Sequence, residues 1–471
     1  MGAPYHFDPT ILREYDIRGI VGETVSEADA NAIGRAFGTL LVRSGGTKVM
    51  VGYDGRVSSP ALEQALVEGL TAVGLNVHRV GRGPTPMLYF AAKTTMADGG
   101  VMVTGSHNPP DHNGFKLVRD DAPFYGGSIS QLAQLAAKGD FVEGKGRVSD
   151  ETFFPAYISR LVADYHGKRK LNVAWDAGNG AAGEAMEALA ERLPGIHHLL
   201  NAKIDGTFPS HHPDPTVEVN LEQLRATVLE QGCDLGIAFD GDGDRIGVLD
   251  GEGRVLWGDQ LMVIFAKDVL RTHPGASIIA DVKASQTLFE EIAKAGGEPV
   301  MWRTGHSLIK TKMAELKAPL AGEMSGHIFF ADHYYGFDDA LYAAVRILDI
   351  LARSEKSLAQ MRNELPSLVN TPELRLPCPD ERKFLVLKEV KARLRKRGLD
   401  AGFTVNEMDG VRVAALDGWW LLRASNTQAA LVARIEAKDV ETFERLKGEL
   451  MSELRASGVE PPSIADPPSD R

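Results

Sequence analysis

The chain has 471 residues, which at roughly 150 residues per domain predicts about three domains. A hydrophobic content of 44% and a charged content of 25% are those of a soluble globular protein. The formal charge of −12 argues against a general nucleic-acid binder, yet leaves room for a small anionic substrate held by local Arg and Lys clusters.

In chain order, KVMVGYD (48–54) predicts a buried strand, and SSPALEQALVEGLTAVG (58–74) a helix capped by Ser58 or Ser59. LNVHRVG follows as a strand, PMLYFAAKTT as a short helix, GGVMVTGS as a strand ending at a serine loop, and NGFKLVR as another strand. This alternation implies a largely parallel sheet. The Gly-rich stretch AKGDFVEGKGRVSD (137–150) breaks the pattern ahead of a helix near 153–166. LNVAWDAGNGAAG opens a second series, which ends in CDLGIAFD, an apolar strand that delivers DGDGDR at its carboxyl end. IGVLD-GEG-RVLW (246–257) predicts a hairpin leading out of it. A third series starts at GDQLMVIFAKDVLRT, has SIIADVKAS and PVMWRTG as strands, and continues through GEMSGHIFF to a long amphipathic helix, DDALYAAVRILDILARSE.

After TPELRLPCPD the character changes. One helix (381–397), three or four short strands (403–435) and a final helix (438–455) predict an α+β module. The resulting units are 1–152, 153–256 and 257–369, all α/β, then 370–460, with the Pro-rich tail 461–471 expected to be disordered. Ligands of open α/β sheets bind beyond the carboxyl ends of the strands, so the serine loop, DGDGDR and RTGH (303–306) are expected around one central cleft.

Two widely separated cysteines, Cys233 and Cys378, fit a reducing compartment. MGAPYHFDPT has neither the pattern of a signal peptide nor that of a myristoylation site, and no run approaches the ~20 apolar residues of a spanning helix. A cytoplasmic protein, away from membranes, is expected.

Four segments carry the chemistry: TGSHNPP (104–110), DGDGDR (240–245), GEMSGH (322–327) and RASNTQ (423–428). Ser106 sits in a loop stiffened by Asn108-Pro109-Pro110, but a bare serine needs a base, a metal or prior phosphorylation to act, and an ordinary Gly-Pro turn is the alternative. Asp240, Asp242 and Asp244 alternate with glycines, a spacing that converges carboxylates on a hard cation, Mg²⁺ or Ca²⁺. An EF-hand is ruled out by Arg245 at the sixth position and Gly251 at the twelfth, and a solvated acidic turn would leave the carboxylates repelling each other. Glu323 and Ser325 suit sugar hydroxyls, and His327 suits proton transfer near neutral pH; a helix start or surface turn is the alternative for this segment, and His306 of RTGH is a further histidine for which a structural or solvent-exposed side chain is the alternative. Arg423 can grip a phosphate bidentately beside Ser425, Asn426 and Thr427, although such a sequence also makes common turns. GNGAAG (178–183) matches a dinucleotide-binding fingerprint, with Asp205 about twenty residues on. The strand near IHHLL should end at Asn201, however, which puts Asp205 out of place and favours a tight turn for helix packing.

Taken together and in order, from YDIRG (15–19) to the RASNTQ loop, these motifs resemble the α-D-phosphohexomutase superfamily, and within it the bacterial phosphomannomutase/phosphoglucomutase group. The resemblance implies three related α/β domains plus a smaller C-terminal α+β domain around a central cleft. It implies that Ser106 is a phosphoserine, and that Asp240, Asp242 and Asp244 bind Mg²⁺ together with Ser106. Arg18, Lys116 and Arg245 would then stabilise the transferring phosphoryl group with His107 beside it, while Glu323 and Ser325 hold the sugar. His327 is the first choice as general acid/base, with His306 and Lys116 as further candidates. Arg423, Ser425, Asn426 and Thr427 would hold the non-reacting phosphate, with Tyr15 lining the cleft.

The implied reaction interconverts hexose 1-phosphate and hexose 6-phosphate, of mannose or glucose. It passes through a hexose 1,6-bisphosphate that is both intermediate and activator, and that turns around within a cleft closed by a movable C-terminal domain. Three rivals remain. A phosphoglucosamine mutase is expected to differ at Met324, a non-catalytic phosphosugar-binding protein would bind without turnover, and a metal-dependent phosphatase would release free phosphate.

Overall fold

The computed structural model describes residues 3–397, 402–426 and 428–461; Thr427 and the tail 462–471 lie outside the described residues. The chain forms four sheets in sequence order, each with its own helices.

In the first sheet the strand order is Ile17–Ile20, His112–Arg119, Gly99–Val103, Lys48–Tyr53, Asn76–Arg82, Val148–Asp150. The last four run parallel to one another. His112–Arg119 is antiparallel to both of its neighbours, so the sheet is mixed and not simply parallel. The cause is local: the short loop 104–111 leaves no room for a crossover, and the chain has to reverse. The Gly-rich stretch is not a plain break either, since its end adds the edge strand Val148–Asp150 to this sheet. The following helix is Phe154–Val162. No serine side chain caps helix Ser59–Ala72. Ser58 Oγ instead accepts from Asn113 Nδ2 (2.8 Å) and Ser59 Oγ donates to Asp54 Oδ1 (2.5 Å), tying the helix start to the neighbouring loops.

The second sheet runs Val255–Leu256, Ile246–Asp250, Leu235–Phe239, Leu171–Asp176, Gly195–Leu200, and includes the expected hairpin. The third runs Glu298–Trp302, Ser277–Asp281, Leu320–Gly322, Ile328–Phe330. The fourth is wholly antiparallel, built on Ala430–Ala437 and Gly418–Ala424, with helices Asp380–Arg397 and Val440–Ala456 packed on it.

One topological position recurs in all four sheets. A strand turns back on itself as an antiparallel hairpin, and the connecting loop carries a motif. Gly99–Val103 and His112–Arg119 bracket the serine loop, and Leu235–Phe239 and Ile246–Asp250 bracket DGDGDR. Leu320–Gly322 and Ile328–Phe330 bracket EMSGH, and Gly418–Ala424 and Ala430–Ala437 bracket SNTQ.

A single apolar core joins the first three units around helix Ala340–Arg353, which is buried on nearly all sides and capped by Asp339 (Tyr342 N to Oδ1, 2.9 Å). The C-terminal unit has its own core and is joined to the third mainly through polar contacts and the small cluster Val282, Trp419 and Leu421. Among the described residues no helix is long and apolar enough to cross a membrane.

Candidate active site

The four loops converge on a cavity of about 360 Å³. Ser106 stands at its floor in a left-handed backbone conformation (φ 49°), which a non-glycine residue adopts only when its surroundings hold it there. Arg56 supplies much of that hold. Its buried guanidinium donates to the carbonyls of Ser106 (2.7 Å), Asn108 (2.6 Å), Pro109 (2.5 Å) and His112 (3.0 Å), and packs on the Phe208 ring at 5.0 Å. Asp54 completes the brace by accepting from Thr104 Oγ1 (2.8 Å) and Gly105 N (3.2 Å). Both residues follow the strand Lys48–Tyr53, at the same carboxyl-end position as the other loops, and YDGR (53–56) is the sequence that carries them.

Ser106 Oγ lies 3.2 Å from both Asp240 Oδ2 and His107 Nδ1. This approach depends on Gly241, where a Cβ would sit 2.3 Å from the Ser106 carbonyl oxygen. Asp240, Asp242 and Asp244 are fully buried. Lys116 Nζ bridges Asp242 (2.7 Å) and Asp244 (2.5 Å), and Thr85 Oγ1 donates to Asp242 (2.5 Å). Burial and the two neighbouring carboxylates push the Asp240 carboxyl well above its usual range. Asp242 is held below its usual range in spite of burial, chiefly by Lys116. Lys116 is likewise held well above the ordinary lysine value, against the cost of burial, by Asp242 and Asp244.

Two buried oxygens of this cluster, Asp242 Oδ1 and Asp244 Oδ1, have no hydrogen-bond partner, and one carboxylate oxygen from each of the three residues lies within 4.8 Å of the other two. An all-oxygen set with orphaned, mutually repelling atoms fits a hard divalent cation.

On the opposite wall Glu323 accepts from Gly305 N (2.6 Å), and burial raises its carboxyl. Asp281 ties the GEMSGH loop to the RTGH turn through Met324 N (3.2 Å) and Thr304 Oγ1 (3.0 Å). The chain can turn at Gly326 (φ +90°) because glycine tolerates that backbone and leaves room for Ile246 O, which a Cβ would approach to 2.4 Å. His327 Nε2 accepts from Arg245 Nε (2.9 Å), and its ring stacks on His306 at 5.6 Å. Burial, then Lys310, keeps His306 well below the usual histidine value; burial, then Arg245 and Arg18, does the same for His107.

At the third side, Arg423 Nε donates to Asp409 (3.0 Å), and Asn426 Nδ2 donates to Tyr15 Oη (2.6 Å). Tyr15 Oη in turn donates to Thr304 O (2.7 Å), so Tyr15 links the first, third and fourth units. Arg18 donates to Asn108 Oδ1 (2.9 Å) and pairs with Asp16.

Tyr15, Arg18, Ser106, His107, Lys116 and Arg245 thus line one cleft from one side, and His306, Glu323, Ser325, His327, Arg423, Ser425 and Asn426 line it from the others. Thr427, expected in the phosphate cup, lies outside the described residues. Sequence reasoning also missed Lys283, Glu373 and Arg375 in the cleft lining. Lys283 Nζ pairs with Glu373 at 2.9 Å, and its position just past strand Ser277–Asp281 is the signal that could have found it. GNGAAG forms a tight turn, with Gly178 and Asn179 both at positive φ and Asp205 capping Thr207 beyond the end of strand Gly195–Leu200.

Four sheets that deliver a serine, a carboxylate triplet, a sugar-type loop and an arginine cup to one cleft define an enzyme of the α-D-phosphohexomutase class. Family models agree domain by domain. Phosphoglucomutase/phosphomannomutase alpha/beta/alpha domains I, II and III match residues 9–143, 155–253 and 257–369, and the C-terminal domain matches residues 373–453. The phosphomannomutase/phosphoglucomutase of Pseudomonas aeruginosa is 43% identical over 447 residues, covering 95% of this chain and 96% of its own. The phosphoglucomutase of Neisseria meningitidis is 40% identical over 450 residues, covering 95% and 97%. A crystal structure of a phosphoglucomutase/phosphomannomutase family protein from Burkholderia thailandensis superposes with a TM-score of 0.90 at 41% identity, covering 98% of this chain and 100% of its own. The chain belongs to the phosphoglucomutase/phosphomannomutase family.

Proposed function

We propose that this enzyme interconverts hexose 1-phosphates and hexose 6-phosphates of mannose and glucose, using a phosphorylated Ser106 and a hexose 1,6-bisphosphate intermediate. The observation that carries the reading is the position of Ser106 Oγ, 3.2 Å from Asp240, at the floor of the cleft that Glu323 and Arg423 also line. Domains at 1–152, 153–256, 257–369 and 370–460 accord with the four sheets.

Asp240, Asp242 and Asp244, with phosphorylated Ser106, would hold Mg²⁺, which when bound neutralises charge on the phosphoryl oxygens. In the first half-reaction the Ser106 Oγ–P bond breaks as a free sugar hydroxyl forms a new O–P bond. Arg18, Lys116 and Arg245 take up the equatorial charge, and the serine oxygen stays fixed by its loop. The hydroxyl proton passes to His327 Nε2, which is released when Arg245 turns from it to the phosphoryl group. His306, kept neutral by burial, is the nearby alternative, whereas Lys116, held charged between two carboxylates, is not free to take a proton and acts on the phosphoryl charge. Glu323 and Ser325 hold the sugar hydroxyls, with Arg423, Ser425, Asn426 and Thr427 around the distal phosphate. The bisphosphate then turns end for end and returns its other phosphate to Ser106. The two buried, unpaired cysteines accord with a cytoplasmic location.

The test is incubation of the enzyme with Mg²⁺, mannose 1-phosphate or glucose 1-phosphate, and a trace of the 1,6-bisphosphate. Conversion to the 6-phosphate without inorganic phosphate is expected. Accumulation of free phosphate would contradict the reading, and a preference for glucosamine 6-phosphate would move the enzyme to the phosphoglucosamine branch.

A further inference from the structure

A second arginine of the fourth unit faces the cleft without a part in the mechanism above. Arg375 lies on Leu374–Pro377, a short edge strand paired with Ala430–Ala437, whose other neighbour is Gly418–Ala424. Val432 is the register partner of both Arg375 and Arg423. Directly opposite residues share one face of a sheet, so the three side chains form a row, and all three line the cleft. With strands about 4.8 Å apart, the backbones of the two arginines are about 10 Å from each other.

The two guanidiniums differ in how far they are committed. Arg423 is buried, with Nε on Asp409 at 3.0 Å, whereas the Arg375 side chain is 44% exposed. Arg375 Nε donates to Glu373 Oε1 at 3.0 Å, and Nη1 reaches Gln428 Oε1, at the end of the RASNTQ loop, only at 3.4 Å. Nη2 has no hydrogen-bond partner among the described residues. Glu373 is shared, since Lys283 Nζ of the third unit holds its Oε2 at 2.9 Å. Against the cost of burial, Lys283 and then Arg375 keep the Glu373 carboxyl well below its usual range, so it stays an anion that anchors Arg375 by one nitrogen. The charge of Arg375 carries across to the serine side of the cleft, where, after burial, Arg245 and Arg18, it helps to hold His107 below the usual histidine value.

We infer that Arg375 binds the bisphosphate in transit, taking a phosphate that has left the Arg423 seat and keeping the intermediate in the cleft while it turns. This rests on the proposed two-transfer reaction. To turn end for end, the bisphosphate has to give up the metal end and the Arg423 end together. Each of its phosphates carries about −1.5 to −2 charges, and a guanidinium with free donors offers them a planar fork beside the seat just vacated. Partial exposure suits the task, because a hold looser than that of the buried Arg423 lets the phosphate move on. No covalent bond changes at this stage.

The experiment starts from enzyme carrying ³²P on Ser106, mixed with unlabelled glucose 1-phosphate and an excess of unlabelled glucose 1,6-bisphosphate as a trap. An intermediate that turns without leaving puts the label in glucose 6-phosphate, and one that escapes puts it in free bisphosphate. The wild type is expected to give mostly glucose 6-phosphate. In Arg375→Gln the ratio of labelled bisphosphate to labelled glucose 6-phosphate should rise about tenfold, the lower end for a charge-assisted hydrogen bond because the site is partly in solvent. Glu373→Gln keeps an acceptor for Arg375 Nε but weakens the tie to Lys283, and its ratio should not exceed that of the wild type. An unchanged ratio in Arg375→Gln, with or without a lowered melting temperature, overturns the inference. So does an equal rise in both variants, which would make the tie between the third and fourth units the cause, and so does a wild type that loses most of its label as free bisphosphate. Wild-type label that stays on the protein or appears as inorganic phosphate would instead sink the mutase reading itself, so the two failures are distinguishable.

Discussion

The pose of Ser106 is set by residues behind its own loop. Arg56 ends in a buried fork whose hydrogen bonds fall on four carbonyls of one loop, and the serine keeps a left-handed backbone because that fork closes around it. Replacing Arg56 with Met leaves those carbonyls unsatisfied and the loop free to relax. Urea unfolding should show a loss of about 3 kcal/mol, and kcat should fall at least about tenfold even in the molecules that remain folded. Restored activity with unaltered stability would show that the loop holds itself. At this scale the sequence was readable only where chemistry repeats in a short string. Asp240, Asp242 and Asp244 announce themselves by alternation, whereas Arg56 and Lys283 are single residues whose partners lie far along the chain, marked only by their place just past a strand.

Among the elements, the hairpin is the repeated unit. Each motif occupies the loop where a strand reverses, so loop shape decides whether a motif reaches the cleft. Gly326→Ala should show it: its positive φ and the approach of the new Cβ to Ile246 O predict a destabilisation of about 1–3 kcal/mol and a raised KM for the sugar phosphate. Thermal unfolding and steady-state kinetics measure the two effects. Helix Ala340–Arg353 offers a second prediction through its cap. Burial holds the Asp339 carboxyl at about 6, against the donors Tyr342 N, Tyr334 Oη and Tyr157 Oη. Between about pH 4 and 6 the unfolded chain has lost this proton while the folded chain keeps it. Unfolding free energy should therefore fall as pH rises through that window, and level off above it. Relative to Asp339→Asn the fall should be on the order of 2–3 kcal/mol, read from urea titrations at each pH. Strand and helix order was legible from apolar periodicity. Strand direction was not, because the reversal at the serine loop depends on loop length, and the edge strand Val148–Asp150 is exposed and too short to carry an apolar pattern.

For the whole molecule, the contrast is between three units welded by a common core and a fourth attached by polar contacts. Arg412 donates to the carbonyls of Val282 (2.6 Å) and Ala284 (2.8 Å), and Arg434 reaches Asp259 (2.9 Å). These bonds and the Tyr15 link are the groups that have to part if the cleft opens. Arg412→Ala should increase the radius of gyration measured by small-angle scattering in the absence of substrate, and raise KM. An unchanged radius would mean that the small apolar cluster at Trp419 is enough to hold the unit shut. The four-unit plan was visible in the sequence as a shift in pattern after residue 370, but the shared core was not, because it is assembled from strands and helices of three units.

All of this turns on Ser106 carrying the phosphoryl group. The most direct measurement labels the enzyme with ³²P from a doubly labelled glucose 1,6-bisphosphate, removes free ligand, and adds unlabelled glucose 1-phosphate in a single turnover. The account predicts label on Ser106 by peptide mass analysis, its transfer to the sugar phosphates, none in inorganic phosphate, and no labelling of Ser106→Ala. Label that stays on the protein, appears as free phosphate, or persists in Ser106→Ala would contradict it.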